Sequence, residues 1–297
     1  MTTEELREAL MMSPKNGFTR ISAEERQEMN EYCKRYMAFM DACKTEREAA
    51  AWATAEAEKQ GFKPFVPGMD AKPGDKIYYN NRGKSFMVAV IGRESLAKGA
   101  NICAAHTDSP RLDLKPNPLY EEAEIAYFKT NYYGGVKKYQ WVIHPLAIHG
   151  VVYRKDGSVI TVTVGEDEND PVLMVSDLLI HLSGEQMQKT LAKGITAEQL
   201  NIILGTEPVE GEGADLVKLN VLKILNEKYG MIEEDFLSAE LTMVPAGRCR
   251  EVGFDRSLIS AYGHDDRACA FAELDAIFSL ENPAKTATCP TRQPVRG

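Results

Sequence analysis

The chain has 297 residues, 44% hydrophobic and 27% charged, an ordinary globular composition with room for one large or two ordinary domains. Its 35 basic and 44 acidic side chains leave a net charge of −9, which argues against nucleic acid as the main partner. No apolar run approaches the roughly 20 residues that span a bilayer, the charged N-terminus lacks the apolar stretch of a secretory signal, and the six cysteines show no Cys-x-x-Cys spacing, so a cytoplasmic, reduced protein is expected.

Ser22-Ala-Glu-Glu25 fits a capping box, and the helical pattern that it opens is expected to run to Gln60, where Gly61 supplies the stop. Tyr32, Tyr36, Phe39 and Cys43 form an apolar stripe on that helix and are read as core. Two strands follow, Lys76–Asn81 and Ser85–Ile91, joined as a hairpin through Arg82-Gly83-Lys84. The apolar run from Asn101 to His106, bounded by Gly99 and Pro110, is the next strand. From about Tyr120 the pattern changes to antiparallel β-structure, with strands expected in Trp141–His149, Ser158–Val164 and Ser238–Pro245. Helical patterns occupy Val175–Lys189 and Gly213–Lys228 within this region, the second stopped by Gly230. Leu258–Tyr262 is a last strand, and Gly263-His-Asp265-Asp-Arg267 opens a helix that buries Phe271, Leu274 and Phe278. The fold class is therefore α/β, one α/β domain split by a β-rich insertion.

Two junctions carry the chemistry. His106 and, two residues on, Asp108 stand where a strand stops, the place at which ligands bind in open α/β sheets. A neutral imidazole is a good zinc ligand, and a nearby carboxylate can hold its other ring nitrogen; the bland alternative is a hydrogen-bonded surface histidine. Asp265 stands after an apolar strand at the start of a helix, where aspartate is also a favoured N-cap. Taken as ends of two strands in one sheet, a nitrogen ligand and a carboxylate able to bridge match a two-metal hydrolase. No GxGxxG or GxxxxGK[ST] loop supports nucleotide binding.

Three blocks in this order, Ala105-His-Thr-Asp-Ser-Pro-Arg-Leu-Asp-Leu-Lys115, Tyr132-Tyr-Gly-Gly-Val-Lys-Lys-Tyr-Gln-Trp141 and Tyr262-Gly-His-Asp-Asp-Arg267, carry a resemblance. The chain resembles, from about Glu4 to Cys289, the aspartyl aminopeptidase and vacuolar aminopeptidase I family of dinuclear zinc peptidases (peptidase family eighteen), its bacterial members most of all. The resemblance implies a zinc-peptidase-like catalytic domain in residues 1–115 and 250–297, interrupted at 116–249 by a dimerisation domain that builds homo-oligomers. It implies two zinc ions, with cobalt or manganese as substitutes, and hydrolysis of the N-terminal residue from peptide substrates. His106 would ligate one zinc, Asp108 would orient that histidine for catalysis, and Asp265 would bridge both ions. His264 replaces a glutamine usual in the bacterial members, as an extra metal contact or, the favoured reading, a neutral replacement. His144 and His149 of the insertion are read as packing residues ahead of ligands.

In that family an adjacent Glu-Glu pair follows by one strand, its first member the general base and its second a metal ligand, and a further Asp and a late His complete the site. Here Ala284–Cys289 enters that strand, after which Pro290-Thr-Arg-Gln-Pro294-Val-Arg-Gly297 is expected to break it, because each proline lacks a ladder donor. The expectation is a chain truncated by a frameshift or premature end, inactive as a peptidase on its own. The alternative is a non-catalytic assembly or scaffold subunit that pairs with intact homologues.

Overall fold

The computed structural model describes residues 1–292. Three helices open the chain, α1 (Thr3–Leu10), α2 (Ala23–Ala42) and α3 (Glu46–Lys59). Five short strands follow, β1 (Lys63–Pro64), β2 (Lys76–Asn81), β3 (Ser85–Val90), β4 (Asn101–Ile102) and β5 (Ala105–His106). The middle of the chain holds β6 (Arg111–Glu122), β7 (Ile125–Tyr133), β8 (Leu146–Tyr153) and β9 (Val159–Val164). After them come the single-turn helices α4 (Gly184–Met187) and α5 (Leu191–Gly194), then β10 (Ile202–Gly205), α6 (Leu216–Tyr229) and β11 (Ala239–Pro245). A small ribbon, β12 (Arg250–Val252) and β13 (Leu258–Ser260), leads into α7 (His264–Phe278) and β14 (Ala287–Arg292).

The capping box at Ser22 forms as read: Ser22 Oγ accepts from the Glu25 N–H at 3.1 Å, and the Glu25 carboxylate accepts from the Ser22 N–H at 2.8 Å. The single helix expected from there to Gln60 is two helices. A second capping box, Thr45-Glu-Arg-Glu48, stops the first pattern and starts another; the Thr45 N–H donates to Glu48 Oε2 at 2.9 Å. Tyr36, Phe39 and Cys43 are buried as expected, with Phe271 of α7 at the centre of the cluster.

The first sheet runs β1-β2-β3-β14-β4, with β5 also on β14. Its hairpin turns on Arg82 and Gly83, both left-handed, while the Gly83 N–H donates to Asn80 Oδ1 at 2.8 Å. Alternation along β2 and β3 sends Tyr78, Phe86 and Val88 to the face covered by the α3 alanines and by Leu274 and Ile277 of α7. Tyr79 and Met87 stand on the opposite, open face, 49% and 45% exposed.

Pro290 does not end the strand that it was expected to break. β14 stays antiparallel to β3 from Ala287 to Thr291, with Pro290 opposite Met87. The carbonyls of Thr286 and Thr288 accept from Asn101 and Cys103, so alternate residues of β14, Pro290 among them, direct their polar groups toward β4 and β5. That neighbour is interrupted at Cys103-Ala104, and the donor that proline lacks falls in the gap. Pro294 lies outside the described residues.

The second sheet is antiparallel throughout, in the order β10-β7-β6-β11-β8-β9, and its core includes Leu112, Leu146, Ile202 and Met243. The boundary expected after residue 115 falls inside β6. α6 packs on this sheet and ends as read at Gly230, which is left-handed and donates to the Asn226 carbonyl at 2.7 Å. No helix spans Val175–Lys189. Val175 is instead bridged to Val142 at the sheet edge, and Leu178, Leu179, Ile180 and Leu182 are exposed, so their spacing is not the stripe of a buried helix face. Among the described residues, no helix is long and apolar enough to cross a membrane.

Candidate active site

His106 and Asp265 reach one place from different supports. His106 is the last residue of β5, which pairs in parallel with Thr291 and Arg292 of β14. Asp265 was expected beyond a second strand of the same sheet, yet β13 pairs only with β12 in the separate ribbon. A loop stapled by hydrogen bonds carries Asp265 instead. Ser109 Oγ donates to the Asp265 carbonyl at 3.0 Å, and Tyr262 Oη donates to the Pro110 carbonyl at 2.8 Å.

Asp265 does not cap the helix. Gly263 takes the N-cap position with no side-chain cap bond, and Asp265 is extended, at φ −89° and ψ 107°. Its carboxylate is therefore free to point outward and is 95% exposed. Beneath it Arg267 is fully buried, its Nη2 donating to the Tyr262 carbonyl at 2.7 Å and its guanidinium lying 5.1 Å from the Tyr262 ring centre. Gly263 sits against that guanidinium with φ +87°, where a Cβ would come within 1.5 Å of Nη2.

The His106 ring faces both aspartates. Nδ1 lies 2.8 Å from the Asp108 main-chain oxygen and 3.4 Å from Asp108 Oδ1, so the main chain is the closer acceptor. Nε2 lies 3.2 Å from Asp265 Oδ1. With Nδ1–H donated to Asp108, Nε2 and a carboxylate oxygen converge as two electron-pair donors. That approach is favourable only if they share a cation, either a proton on Nε2 or a metal ion.

Asp108 supports the ring from a buried position, its side chain 5% exposed. Oδ2 accepts from Tyr133 Oη at 2.5 Å, while Oδ1 has no hydrogen-bond partner among the described residues and stands 3.4 Å from His106 Nδ1. The Arg111 guanidinium covers the Tyr133 ring at 4.4 Å. Tyr133, Ser109 and Tyr262 lie in the quoted sequence blocks, but nothing in their spacing gave them roles. A cavity of about 620 Å³ opens beside this group, lined by Tyr79, Met87, His106, Asp266 and Thr291 among others.

The other histidines point elsewhere. His264 Nε2 donates to the Ile259 carbonyl at 3.2 Å, which leaves Nδ1 to accept from Tyr36 Oη at 2.6 Å, so both nitrogens are satisfied without a metal. His149, read as a packing residue, is buried between two carboxylates. His144 is half-buried on the loop before β8. His106 Nε2 and Asp265 Oδ1, 3.2 Å apart, are two donor atoms that could serve a zinc ion. Among the described residues, no group of three His, Cys, Asp or Glu side chains gathers to hold a metal ion.

Residues 39–291 match the family model described as aminopeptidase I zinc metalloprotease (M18). A probable M18 family aminopeptidase 1 of Clostridium acetobutylicum is 49% identical over 282 residues, covering 93% of this chain and 61% of that protein. The crystal structure of an M18 family aminopeptidase from Thermotoga maritima aligns with a TM-score of 0.88 at 44% identity, covering 94% of this chain and 61% of that one. Aminopeptidase I of Borrelia burgdorferi aligns with a TM-score of 0.85 at 42% identity, covering 94% of this chain and 65% of that one. The chain thus spans about three fifths of the length of these relatives.

Proposed function

This chain belongs to the M18 family of aminopeptidase I zinc metalloproteases, and we propose that it carries one side of a two-zinc site for removing the N-terminal residue of peptides. The observation that carries this reading is the 3.2 Å approach of His106 Nε2 to Asp265 Oδ1, backed by the buried Asp108. His106 is assigned as a ligand of one ion and Asp265 as the carboxylate shared between two. Zinc, when bound, lowers the pKa of its water to about 7 and polarises the scissile carbonyl.

The protein's own contribution is orientation. The Asp108 carbonyl accepts the hydrogen bond from Nδ1–H and leaves the Nε2 electron pair facing Asp265. The Asp108 carboxylate lies behind the ring and stabilises positive charge that develops there. The adjoining cavity offers space for the first residue of a peptide and stays open on its apolar side at Tyr79 and Met87.

The two donors found among the described residues fall short of the four that a zinc ion takes, so this polypeptide alone is proposed to turn over little or no peptide. Purified protein given zinc, cobalt or manganese is expected to release no detectable product from aminoacyl nitroanilides. Robust turnover, abolished by His106→Ala or Asp265→Ala, overturns that part of the proposal.

We further assign residues 1–115 and 250–297 to a catalytic domain and 116–249 to a subunit-pairing domain in a cytoplasmic homo-oligomer. The two separate sheets support a division of this kind, with the start of β6, residues 111–115, crossing it, and six free cysteines support the compartment. A second reading, an assembly subunit, is favoured by the exposed Leu178, Leu179, Ile180 and Leu182, an apolar patch suited to another copy. Size-exclusion chromatography with and without a full-length homologue separates the readings. Metal-free co-assembly favours the scaffold, and a monomer that ignores the homologue removes it.

A further inference from the structure

His149 lies on β8 between Thr242 of β11 and Thr163 of β9, and it is 4% exposed. Its Nδ1 is 2.7 Å from Glu48 Oε1 at the start of α3, and its Nε2 is 2.9 Å from Glu166 Oε1 just after β9. Carboxylates only accept, so both bonds form together only when both ring nitrogens carry protons. Lys44, from the corner between α2 and α3, is 5% exposed and gives its ammonium to Glu166 Oε1 (2.6 Å) and to the carbonyls of Pro245 (2.8 Å) and Gly247 (2.7 Å). All three lysine donors are thereby used.

The four side chains hold two positive and two negative charges, a neutral set only while the ring is protonated. They also bridge the molecule. Lys44 and Glu48 come from the α2–α3 corner over the first sheet, whereas His149 lies in the second sheet and Glu166 in the loop that leaves it. Glu48 does double service, since its other oxygen closes the cap of α3 by accepting from the Lys44 and Thr45 N–H groups, each at 2.9 Å.

We propose that His149 is a pH-sensitive rivet between the two layers: charged, it binds the second sheet to the α2–α3 corner through Glu48 and Glu166, and on losing its proton it releases one of the two carboxylates and loosens the junction. Burial by itself lowers the affinity of this ring for a proton, but the hydrogen bonds and charges of Glu166 and Glu48 overcome it and raise the pKa to about 9. A folded pKa above the ordinary 6.5 means that the stabilisation is complete below about pH 6.5 and is lost as pH rises through 9. The groups that face the ring are Glu48, Glu166 and, through Glu166, Lys44. The Glu48 charge also acts through space on Arg267 of α7 and on the Cys43 thiol. The neighbouring pairs Arg47–Glu240, Lys84–Glu240 and Arg111–Glu46 also join the layers, so deprotonation weakens the junction without severing it.

The test combines an NMR titration of the His149 ring in the intact chain with thermal unfolding of the wild-type and His149→Gln proteins between pH 7 and 9.5. The ring is expected to titrate near 9, and the wild type to lose roughly 5 °C in Tm across that range, a loss that the variant does not share. Amide exchange at residues 43–49 and 165–167 should accelerate at pH 9.5 beyond its intrinsic base dependence. A ring that titrates near 6.5, or an identical pH dependence in both proteins, overturns the proposal. If His149→Gln does not fold, the ring titration and amide exchange of the wild type decide alone.

Discussion

Gly263→Ala is the sharpest structural perturbation near the site. The residue has φ +87° and ψ 29°, a region that costs an L-residue roughly 1–2 kcal/mol. The added Cβ would lie 1.5 Å from Nη2, 2.3 Å from Cζ and 2.8 Å from Nε of Arg267. An arginine end is normally a flexible neighbour, but this one is fully buried and bonded to the Tyr262 carbonyl, so it has nowhere to move. Overpacking costs about 1–3 kcal/mol, and losing a charged hydrogen bond about 1.5–3 kcal/mol more. The total, about 4–8 kcal/mol, is a large part of the roughly 5–15 kcal/mol that holds an ordinary domain together. Urea denaturation followed by circular dichroism measures it. Gly135→Ala is the control, since a Cβ there meets nothing within 4 Å, and it should change stability by no more than about 0.5 kcal/mol. A Gly263→Ala protein within about 1 kcal/mol of wild type refutes the packing described for the Asp265 loop.

Three further outcomes are expected. Tyr133→Phe takes the hydrogen bond from Asp108 Oδ2, in a carboxylate whose Oδ1 already has no hydrogen-bond partner; a stability loss of about 1–3 kcal/mol should appear in the same denaturation assay. Arg111→Ala strands the buried Glu46 carboxylate at 2.9 Å from where the guanidinium lay and should cost about 3–5 kcal/mol, whereas Lys34→Ala, which removes an exposed and solvent-screened pair with Glu31, should leave the denaturation midpoint essentially unchanged. In acid, burial raises the pKa of Glu48 and Glu166, but the hydrogen bonds from His149, and for Glu166 also from Lys44, outweigh it and leave both below the ordinary 4.5. Their stabilisation is therefore present above about pH 4.5 and drains away as pH falls below it, which Tm against pH will show as a decline steeper than in a Glu48→Gln variant.

Local signals in the sequence were read well where one interaction decides the outcome. Ser22 with Glu25 and Gly230 after α6 fix helix ends through bonds to their own neighbours. The same signature at Thr45 and Glu48 was equally present, yet the longer apolar stripe hid it. Pro290 could not be placed from sequence, since its tolerance depends on a gap in a strand almost 190 residues earlier. The leucines at 178–182 show the converse limit: apolar spacing reports a need for burial but not what does the burying. For the site, His106, Asp108 and Asp265 were legible as residue types at element ends. Their supports were not, because Ser109, Tyr133, Tyr262 and Arg267 act across 5 to 156 residues of chain through single hydrogen bonds. His149 is buried in the packing as expected, but its two carboxylate partners were hidden for the same reason. Its partners Glu48 and Glu166 come from other segments, and a histidine amid Ala147, Ile148 and Val151 looks apolar until they arrive.

The convergence of His106 and Asp265 on a shared cation is tested most directly by NMR of the five imidazoles during titration with zinc. His106 should be the ring most strongly shifted, at Nε2, with His149 and His264 unmoved, and Asp265→Ala should weaken the apparent affinity at least tenfold. Zinc that shifts His144 or His181 instead, or that binds the His106→Ala protein as tightly as wild type, places the metal elsewhere and removes the basis for reading this corner as part of a peptidase site.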